Sequence, residues 1–127
     1  MIGLHPGGKE MTVRLLDLSG ICPPAGILEL GAGGGDTAGY LKSLGFEVKA
    51  IDLNPAGPDV EPGDMRKLDF AEESFDCCLA ECSISGCGGG GAALREAFRV
   101  LKQGGCLWCQ MFFFIRKTRP VCQWKSP

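Results

Sequence analysis

The chain has 127 residues, of which 45% are hydrophobic and 22% are charged. At about 100 to 200 residues per domain, this length predicts a single domain over residues 1–127. The composition excludes a disordered tail, a coiled coil and a fibrous repeat. The formal net charge is −2, and the densest basic stretch is only Arg116, Lys117 and Arg119, so we expect no binding to nucleic acid.

Neither end of the sequence carries a membrane or export signal. The N-terminus has no charged region followed by an apolar stretch, as a secretory signal would. The longest apolar run near the other end, residues 111–115, is far shorter than the roughly 20 residues that span a bilayer. We therefore expect a cytoplasmic protein without membrane contact.

The eight cysteines are expected to remain reduced, because a disulfide framework needs a secretory context. A structural zinc site usually takes two paired ligand knuckles, and this sequence has one Cys-x-x-Cys, Cys106 and Cys109. The residues flanking this pair are typical of a buried strand. Small core residues are therefore the favoured interpretation and structural zinc the less favoured one, and we predict no metal site.

The first half of the chain predicts a helix followed by a strand, loop and helix. Residues 9–19 form an amphipathic pattern that ends at Gly20, which gives an N-terminal cap over residues 1–20. The apolar run 27–30 predicts a buried strand that leads into a glycine loop. An apolar stripe then predicts a helix over residues 36–44, with Asp36 or Thr37 as its capping side chain.

The second half continues the alternation. Residues 46–51 predict a strand that completes a βαβ unit with parallel strands. A short strand is possible at residues 59–61, and clearer strands are predicted at 75–80 and 106–115. Between the last two, residues 94–101 predict an amphipathic helix closed by Gly104 and Gly105. The expected fold is an α/β Rossmann-like open sheet, mostly parallel, with about five strands and helices on both faces.

The glycine loop and the acid after the second strand together predict a nucleoside cofactor. A helix N-terminus preceded by glycines suits a polar or anionic group, and Asp52 follows Gly31 by 21 residues, where a carboxylate can accept hydrogen bonds from both ribose hydroxyls. A dinucleotide-binding loop would have glycine at position 36. The chain has Asp36 there, and together with Glu29 it favours the cationic S-adenosylmethionine over NAD.

The segment Glu29-Leu30-Gly31-Ala32-Gly33-Gly34-Gly35 resembles motif I of the class I S-adenosylmethionine-dependent methyltransferases. Further motifs follow in the family's order: Asp52, Gly63-Asp64-Met65, Leu68-Asp69-Phe70, Ser74-Phe75-Asp76 and residues 94–105. The resemblance covers residues 27–109, which we interpret as the cofactor-binding core. It is to the small-molecule, methyltransferase type 11-like branch, and it implies S-adenosylmethionine as the cofactor.

The resemblance also implies roles for individual residues. The expected cofactor-binding residues are Glu29, Gly31, Ala32, Gly33, Gly35, Asp52, Leu53, Asp64, Met65 and Glu81. Among them Asp52 would bind the ribose, Asp64 would reach the adenine amino group beside the Met65 backbone, and Glu81 would lie near the transferable methyl group. If a base is used, the candidates for this catalytic role are Glu81 and His5. Cys82 and Cys87 could instead hold a soft acceptor, although loop or core thiols are the favoured interpretation.

Family members normally carry about seven strands, so the chain is expected to be a C-terminally shortened version with an atypical tail over residues 110–127. Two functions remain open: a methyltransferase acting on an unidentified small-molecule acceptor, and a non-catalytic S-adenosylmethionine-binding module or partner subunit. An NAD-binding fragment is a less favoured third. Exposed Phe112, Phe114 and Trp124, together with an open sheet edge beside strand four, predict a homodimer or a covering partner protein.

Overall fold

The structure, a computed structural model, describes residues 8–80, 90–109 and 113–117. Helices and strands alternate along the chain, which confirms the predicted α/β class. The elements are α1 Gly8–Ser19, β1 Gly26–Leu30, α2 Asp36–Ser43, β2 Glu47–Asp52, β3 Glu61–Pro62, β4 Phe75–Ala80, α3 Gly90–Val100, β5 Leu101–Cys109 and β6 Phe113–Arg116.

The strands form one open sheet in the order β3-β2-β1-β4-β5-β6. Every neighbouring pair is parallel except β5 and β6, which are antiparallel. The central strand β1 is in register with both of its neighbours, since Leu28 lies opposite Lys49 of β2 and Cys78 of β4. The mostly parallel sheet is therefore confirmed, with six strands where about five were predicted.

The additional strand comes from residues predicted as one strand over 106–115. Within this range β5 ends at Cys109 and β6 begins at Phe113, and the two pair from Cys106 with Arg116 to Cys109 with Phe113. A continuous apolar run hides the reversal, because periodicity alone does not mark where a buried strand turns back. β5 also starts at Leu101, directly after α3, so Gly104 lies within an irregular part of the β4–β5 pairing and not in a turn that closes the helix.

The predicted open edge beside strand four is wrong. β4 pairs with β1 on one side and with β5 on the other, and β6 covers the far side of β5. The outer strands of the sheet are β3 and β6. The side chains of Phe112, Phe114 and Trp124 lie outside the part of the chain that the structure describes.

The core lies on both faces of the sheet, because neighbouring residues of a strand point to opposite faces. On one face Ile27 of β1 packs with Leu41 of α2 and Leu16 of α1. On the other, Leu28 belongs to a cluster that includes Val100 of α3. Helices thus cover both faces, as predicted. Among the described residues, none of the helices is long and apolar enough to cross a membrane.

Helix α2 begins differently from the prediction. Its N-cap residue is Gly35, which has a φ of 88° and makes no side-chain cap hydrogen bond, so Asp36 and Thr37 do not serve as the N-cap. The loop needs a left-handed residue immediately before the helix, and glycine adopts this conformation without strain. Asp36 lies in the first turn, where its negative charge interacts favourably with the helix dipole.

The last described residues tie the two sides of the sheet together. The Arg116 guanidinium donates to the carbonyls of Gly104 (2.8 Å) and of Ser19 at the end of α1 (3.0 Å). The Lys117 ammonium donates to the carbonyls of Phe98 (2.6 Å) and Leu101 (2.7 Å) at the end of α3. These cations satisfy carbonyls that a helix end leaves without intrahelical partners.

Candidate functional site

A glycine loop joins β1 to α2 at the carboxyl edge of the sheet. Gly33 and Gly35 have φ values of 58° and 88°, which side chains other than glycine rarely adopt. The loop is fastened to the neighbouring strand, because the Ala32 N–H donates to the carbonyl of Ile51 at 2.9 Å. The N-terminus of α2 therefore lies at the edge where β1 and β2 both end.

Asp52 at the end of β2 lies directly against this loop. Its Oδ2 accepts a hydrogen bond from the Gly33 N–H (2.9 Å) and its Oδ1 accepts one from the Asn54 N–H (2.8 Å). Each carboxylate oxygen has two acceptor sites, so the side chain is held in place and still has acceptor capacity. The structure thus brings together the loop and the acid that the sequence singled out.

A second loop, residues 53–60, supports the glycine loop. The Ala56 N–H donates to the carbonyl of Gly33 at 3.0 Å. The contact beside it is so close that a Cβ added at Gly57 would lie 2.1 Å from the carbonyl oxygen of Gly34. The prolines and glycines of residues 54–60 are typical of a loop, but nothing in the local pattern indicated that Gly57 contacts Gly34.

A cavity of about 150 Å³ adjoins Asp52. Its walls are Ile51, Glu61, Pro62, Gly63, Asp64, Lys67, Leu68, Asp69 and Phe70. The Gly63 N–H donates to the backbone carbonyl of Asp52 at 3.0 Å, which places the cavity next to the acid. A complete small-molecule pocket measures about 300 to 1,000 Å³, so this cavity suits one end of a ligand.

Asp64, expected to contact the adenine amino group, is engaged by a neighbour on its own chain. Oδ1 accepts from the Arg66 backbone N–H and from Nε, both at 2.9 Å, and Oδ2 accepts from Nη2 at 2.8 Å. These hydrogen bonds lower the pKa of the Asp64 carboxyl to about 2. Arg66 was not predicted as the partner of Asp64. The available signal was an arginine two residues after the acid, within a turn.

The remaining predicted cofactor-binding residues differ in exposure. Glu29 is buried within β1, with 2% of its surface exposed, whereas Leu53 is 55% exposed just after β2. Met65 packs partly against the core cluster that contains Leu28. Gly31 has a φ of 70° at the start of the loop. Glu81, His5, Cys82 and Cys87 lie outside the residues that the structure describes.

Two residues of α3 that sequence analysis did not assign to the site also reach the cavity wall. Glu96 and Arg99 form an ion pair with Nε and Oε2 2.7 Å apart, and both hydrogen-bond to the backbone of residues 68–70. The hydrogen bond from Arg99 lowers the pKa of the Glu96 carboxyl. Oppositely charged residues three positions apart on a helix were the available signal.

Four of the five described cysteines, all but the exposed Cys22, are buried in strands of the sheet. Cys106 and Cys109 lie in β5 with 0% and 8% exposure, which confirms the predicted buried strand, and both are free cysteines. Burial raises the pKa of Cys77 and Cys78 in β4 above the ordinary range of a thiol. Since the thiolate is the reactive form, these two groups are poor nucleophiles.

Comparison with known proteins gives matches that span most of this chain. The family model described as "Methyltransferase domain" matches residues 28–109. The uncharacterised methyltransferase YodH of Bacillus subtilis is 32% identical over 120 residues, which span 83% of this chain and 51% of that protein. The ubiquinone/menaquinone biosynthesis C-methyltransferase UbiE of Nitrobacter hamburgensis is 33% identical over 130 residues, spanning 87% of this chain and 51% of that protein.

Solved structures share the fold. A proposed S-adenosyl-L-methionine-dependent methyltransferase of Methanococcus maripaludis superposes with a TM-score of 0.68 at 20% identity, covering 78% of this chain and 52% of that one. The MccD protein gives a TM-score of 0.73 at 19% identity, covering 83% and 54%. The chain therefore spans about half the length of the relatives that it matches.

Proposed function

Since the chain belongs to the family of methyltransferase domains, whose class I members use S-adenosylmethionine as methyl donor, we propose that it binds this cofactor and transfers its methyl group to a small-molecule acceptor. The cofactor would lie across the carboxyl edge of the sheet. The glycine loop would face the methionine end, Asp52 the ribose, and the cavity beside Gly63 the adenine.

One observation carries the proposal, the fixed position of the Asp52 carboxylate. Two backbone N–H groups, from Gly33 and Asn54, hold it against the glycine loop at the end of β2. It therefore needs no rearrangement to accept hydrogen bonds from two neighbouring hydroxyl groups, and preorganisation of this kind lowers the entropic cost of binding. A ribose presents two such hydroxyl groups.

Methyl transfer depends mainly on how the cofactor and the acceptor are positioned. When bound, the cofactor supplies a methyl carbon already activated by its sulfonium. What the chain contributes is orientation, which can account for a large part of a rate enhancement, and a negative electrostatic environment from Asp36 and Asp52 that suits a cation. Glu81 and His5 remain the proposed bases for an acceptor that must lose a proton, while Ala32, Gly35 and Leu53 are proposed to contact the cofactor through the loop and the end of β2.

Calorimetric titration with S-adenosylmethionine, S-adenosylhomocysteine and NADH tests the cofactor. We expect micromolar binding of the two sulfur nucleosides and none of NADH. Asp52→Asn should weaken binding about tenfold or more, the effect of losing a charged hydrogen-bond acceptor. The matched control is Asp59→Asn, since Asp59 is an exposed acid in the adjoining loop. Equal affinities for the two variants would remove Asp52 from the site.

A second candidate function is a cofactor-binding module without turnover, or a partner subunit of another enzyme. The observation that favours it is coverage, because the chain spans 51% of the length of YodH and of UbiE. The name of YodH gives no acceptor, and that of UbiE refers to ubiquinone and menaquinone biosynthesis, so the acceptor's identity stays open here. Formation of S-adenosylhomocysteine in the presence of extracts of small molecules would favour the enzyme, and tight binding without any consumption of cofactor would favour the module.

We also propose a cytoplasmic location and association with a second chain or a partner protein. The free thiol state of the described cysteines is what a reducing compartment maintains. The observation that supports association is Leu18 of α1, a large apolar side chain that is 69% exposed. Static light scattering that shows a monomer at high concentration would contradict the association.

A further inference from the structure

The wall of the cavity is held from behind by α3. Arg99 donates through Nη2 to the carbonyl of Leu68 (3.0 Å) and through Nη1 to the carbonyl of Phe70 (2.9 Å). Glu96 accepts a hydrogen bond from the Leu68 N–H through Oε1 at 2.7 Å. Three backbone groups of the cavity wall are therefore hydrogen-bonded to two side chains of one helix.

The pair is itself rigid. Arg99 Nε lies 2.7 Å from Glu96 Oε2 and Nη2 lies 3.2 Å from Oε1, a two-point contact that fixes the guanidinium plane. The side chains are only 30% and 20% exposed. Because the arginine fork is planar and preorganised, it sets both the distance and the angle of the backbone that it binds.

The segment that the pair holds has little other regular support. Residues 63–74 belong to none of the helices or strands, and an isolated bridge between Asp64 and Lys67 closes a turn within the segment. Leu68 is buried against α3, and the Phe70 ring makes an edge-to-face contact with Phe75, with ring centroids 5.2 Å apart. The side chains of Glu96 and Arg99 therefore hold the backbone of the cavity wall at Leu68 and Phe70, while the N–H groups of Glu73 and Ser74 bond to the end of α3.

We propose that Glu96 and Arg99 are positioning residues for the adenine end of the cofactor. They set the shape of the cavity formed by residues 61–70, and so its preference for adenine, without touching the ligand. This inference rests on the proposed function, since it assigns the cavity to the adenine base. It predicts that a change in α3, behind the cavity wall and out of contact with the ligand, alters which base is bound.

The experiment compares variants against two nucleosides that differ in the base alone, S-adenosylhomocysteine and S-inosylhomocysteine. Arg99→Met removes all contacts of the guanidinium, and Arg99→Lys retains the charge but loses the planar fork. Arg95→Met is the matched control, because Arg95 is an exposed arginine one helical turn away on α3. Dissociation constants are measured by calorimetry well below the melting temperature of each variant.

Arg99→Met is expected to weaken binding of S-adenosylhomocysteine about tenfold, because a cavity wall that holds the competent shape only about a tenth of the time lowers the apparent affinity by that fraction, and to reduce the preference over the inosine compound. Arg99→Lys should recover part of both, and Arg95→Met should match the wild type. An unchanged preference between the two bases, or equal affinities of wild type and Arg99→Met, would overturn the inference. Should Arg99→Met fail to fold, Arg99→Lys decides by the same ratio. No binding by the wild-type chain would overturn the proposed function as well.

Discussion

Substitution of Gly57 by alanine tests whether the two loops at the carboxyl edge depend on each other. The added Cβ would lie 2.1 Å from the carbonyl oxygen and 2.9 Å from the carbonyl carbon of Gly34. Both are backbone atoms, so no side chain can move aside. To reach an ordinary contact distance the two backbones must separate by at least about 1 Å.

The cost follows from what such a separation breaks. The hydrogen bond from the Ala56 N–H to the Gly33 carbonyl is 3.0 Å long, and its loss costs about 1 kcal/mol. The added Cβ overpacks the contact between the loops, and overpacking costs about 1 to 3 kcal/mol. Part of this cost arises at Val60, three residues after Gly57, because its contacts with Ala38 and Ala50 would be disturbed. The free energy of unfolding should therefore fall by roughly 2 to 4 kcal/mol, which corresponds to a fall in melting temperature of about 6 to 16 °C.

The assay is urea denaturation with thermal melting, and the control is Gly39→Ala. Gly39 lies in α2 and a Cβ there meets nothing within 4 Å, so alanine should raise the free energy of unfolding by about 0.5 to 1 kcal/mol through helix propensity. The two alanine variants should thus change stability in opposite directions. If Gly57→Ala melts within about 2 °C of the wild type, the close contact between the loops does not exist in solution.

The remaining predictions concern charged groups. Lys117→Met should lower the free energy of unfolding by about 1 to 3 kcal/mol, because its ammonium binds two carbonyls at the end of α3; Lys102→Met is the exposed control, and equal urea midpoints would contradict the assignment. Arg66→Gln should reduce the dependence of the free energy of unfolding on pH in the acid range. The lowered pKa of Asp64, about 2, stabilises the fold above the ordinary pKa of the carboxyl, and this stability is lost as the pH falls from about 4 to 2. Urea titrations across that range that coincide for the two proteins would refute this.

Most of the fold could be predicted because its signals are local. The apolar run 27–30 and the glycines after it mark a strand and loop within ten residues, and Asp52 follows the next strand in the same way. Parallel pairing then places both strand ends at one edge, since a βαβ unit allows little else. The glycine loop and Asp52, which form one part of the candidate site, could therefore be predicted from the sequence.

The second half could not be predicted, because it depends on contacts between distant segments. The hydrogen bond from the Leu68 N–H to Glu96 joins residues 28 positions apart, and no periodic pattern encodes such a contact. The pairing of β6 with β5 could not be predicted either, because the chain reverses within a continuous apolar run. Asp64 shows a different limit, because the sequence motif gave its position while Arg66 determines its pKa.

The end of β2 organises every part of the candidate site. Ile51 accepts the Ala32 N–H of the glycine loop, and Asp52 accepts the N–H groups of Gly33 through its side chain and of Gly63 through its backbone. The glycine loop and the cavity wall are therefore both hydrogen-bonded to Ile51 and Asp52, two consecutive residues. Helix α3 binds the cavity wall from the other side. All of these contacts lie within residues 26–100. Cofactor binding and methyl transfer are therefore to be tested as separate properties of the chain.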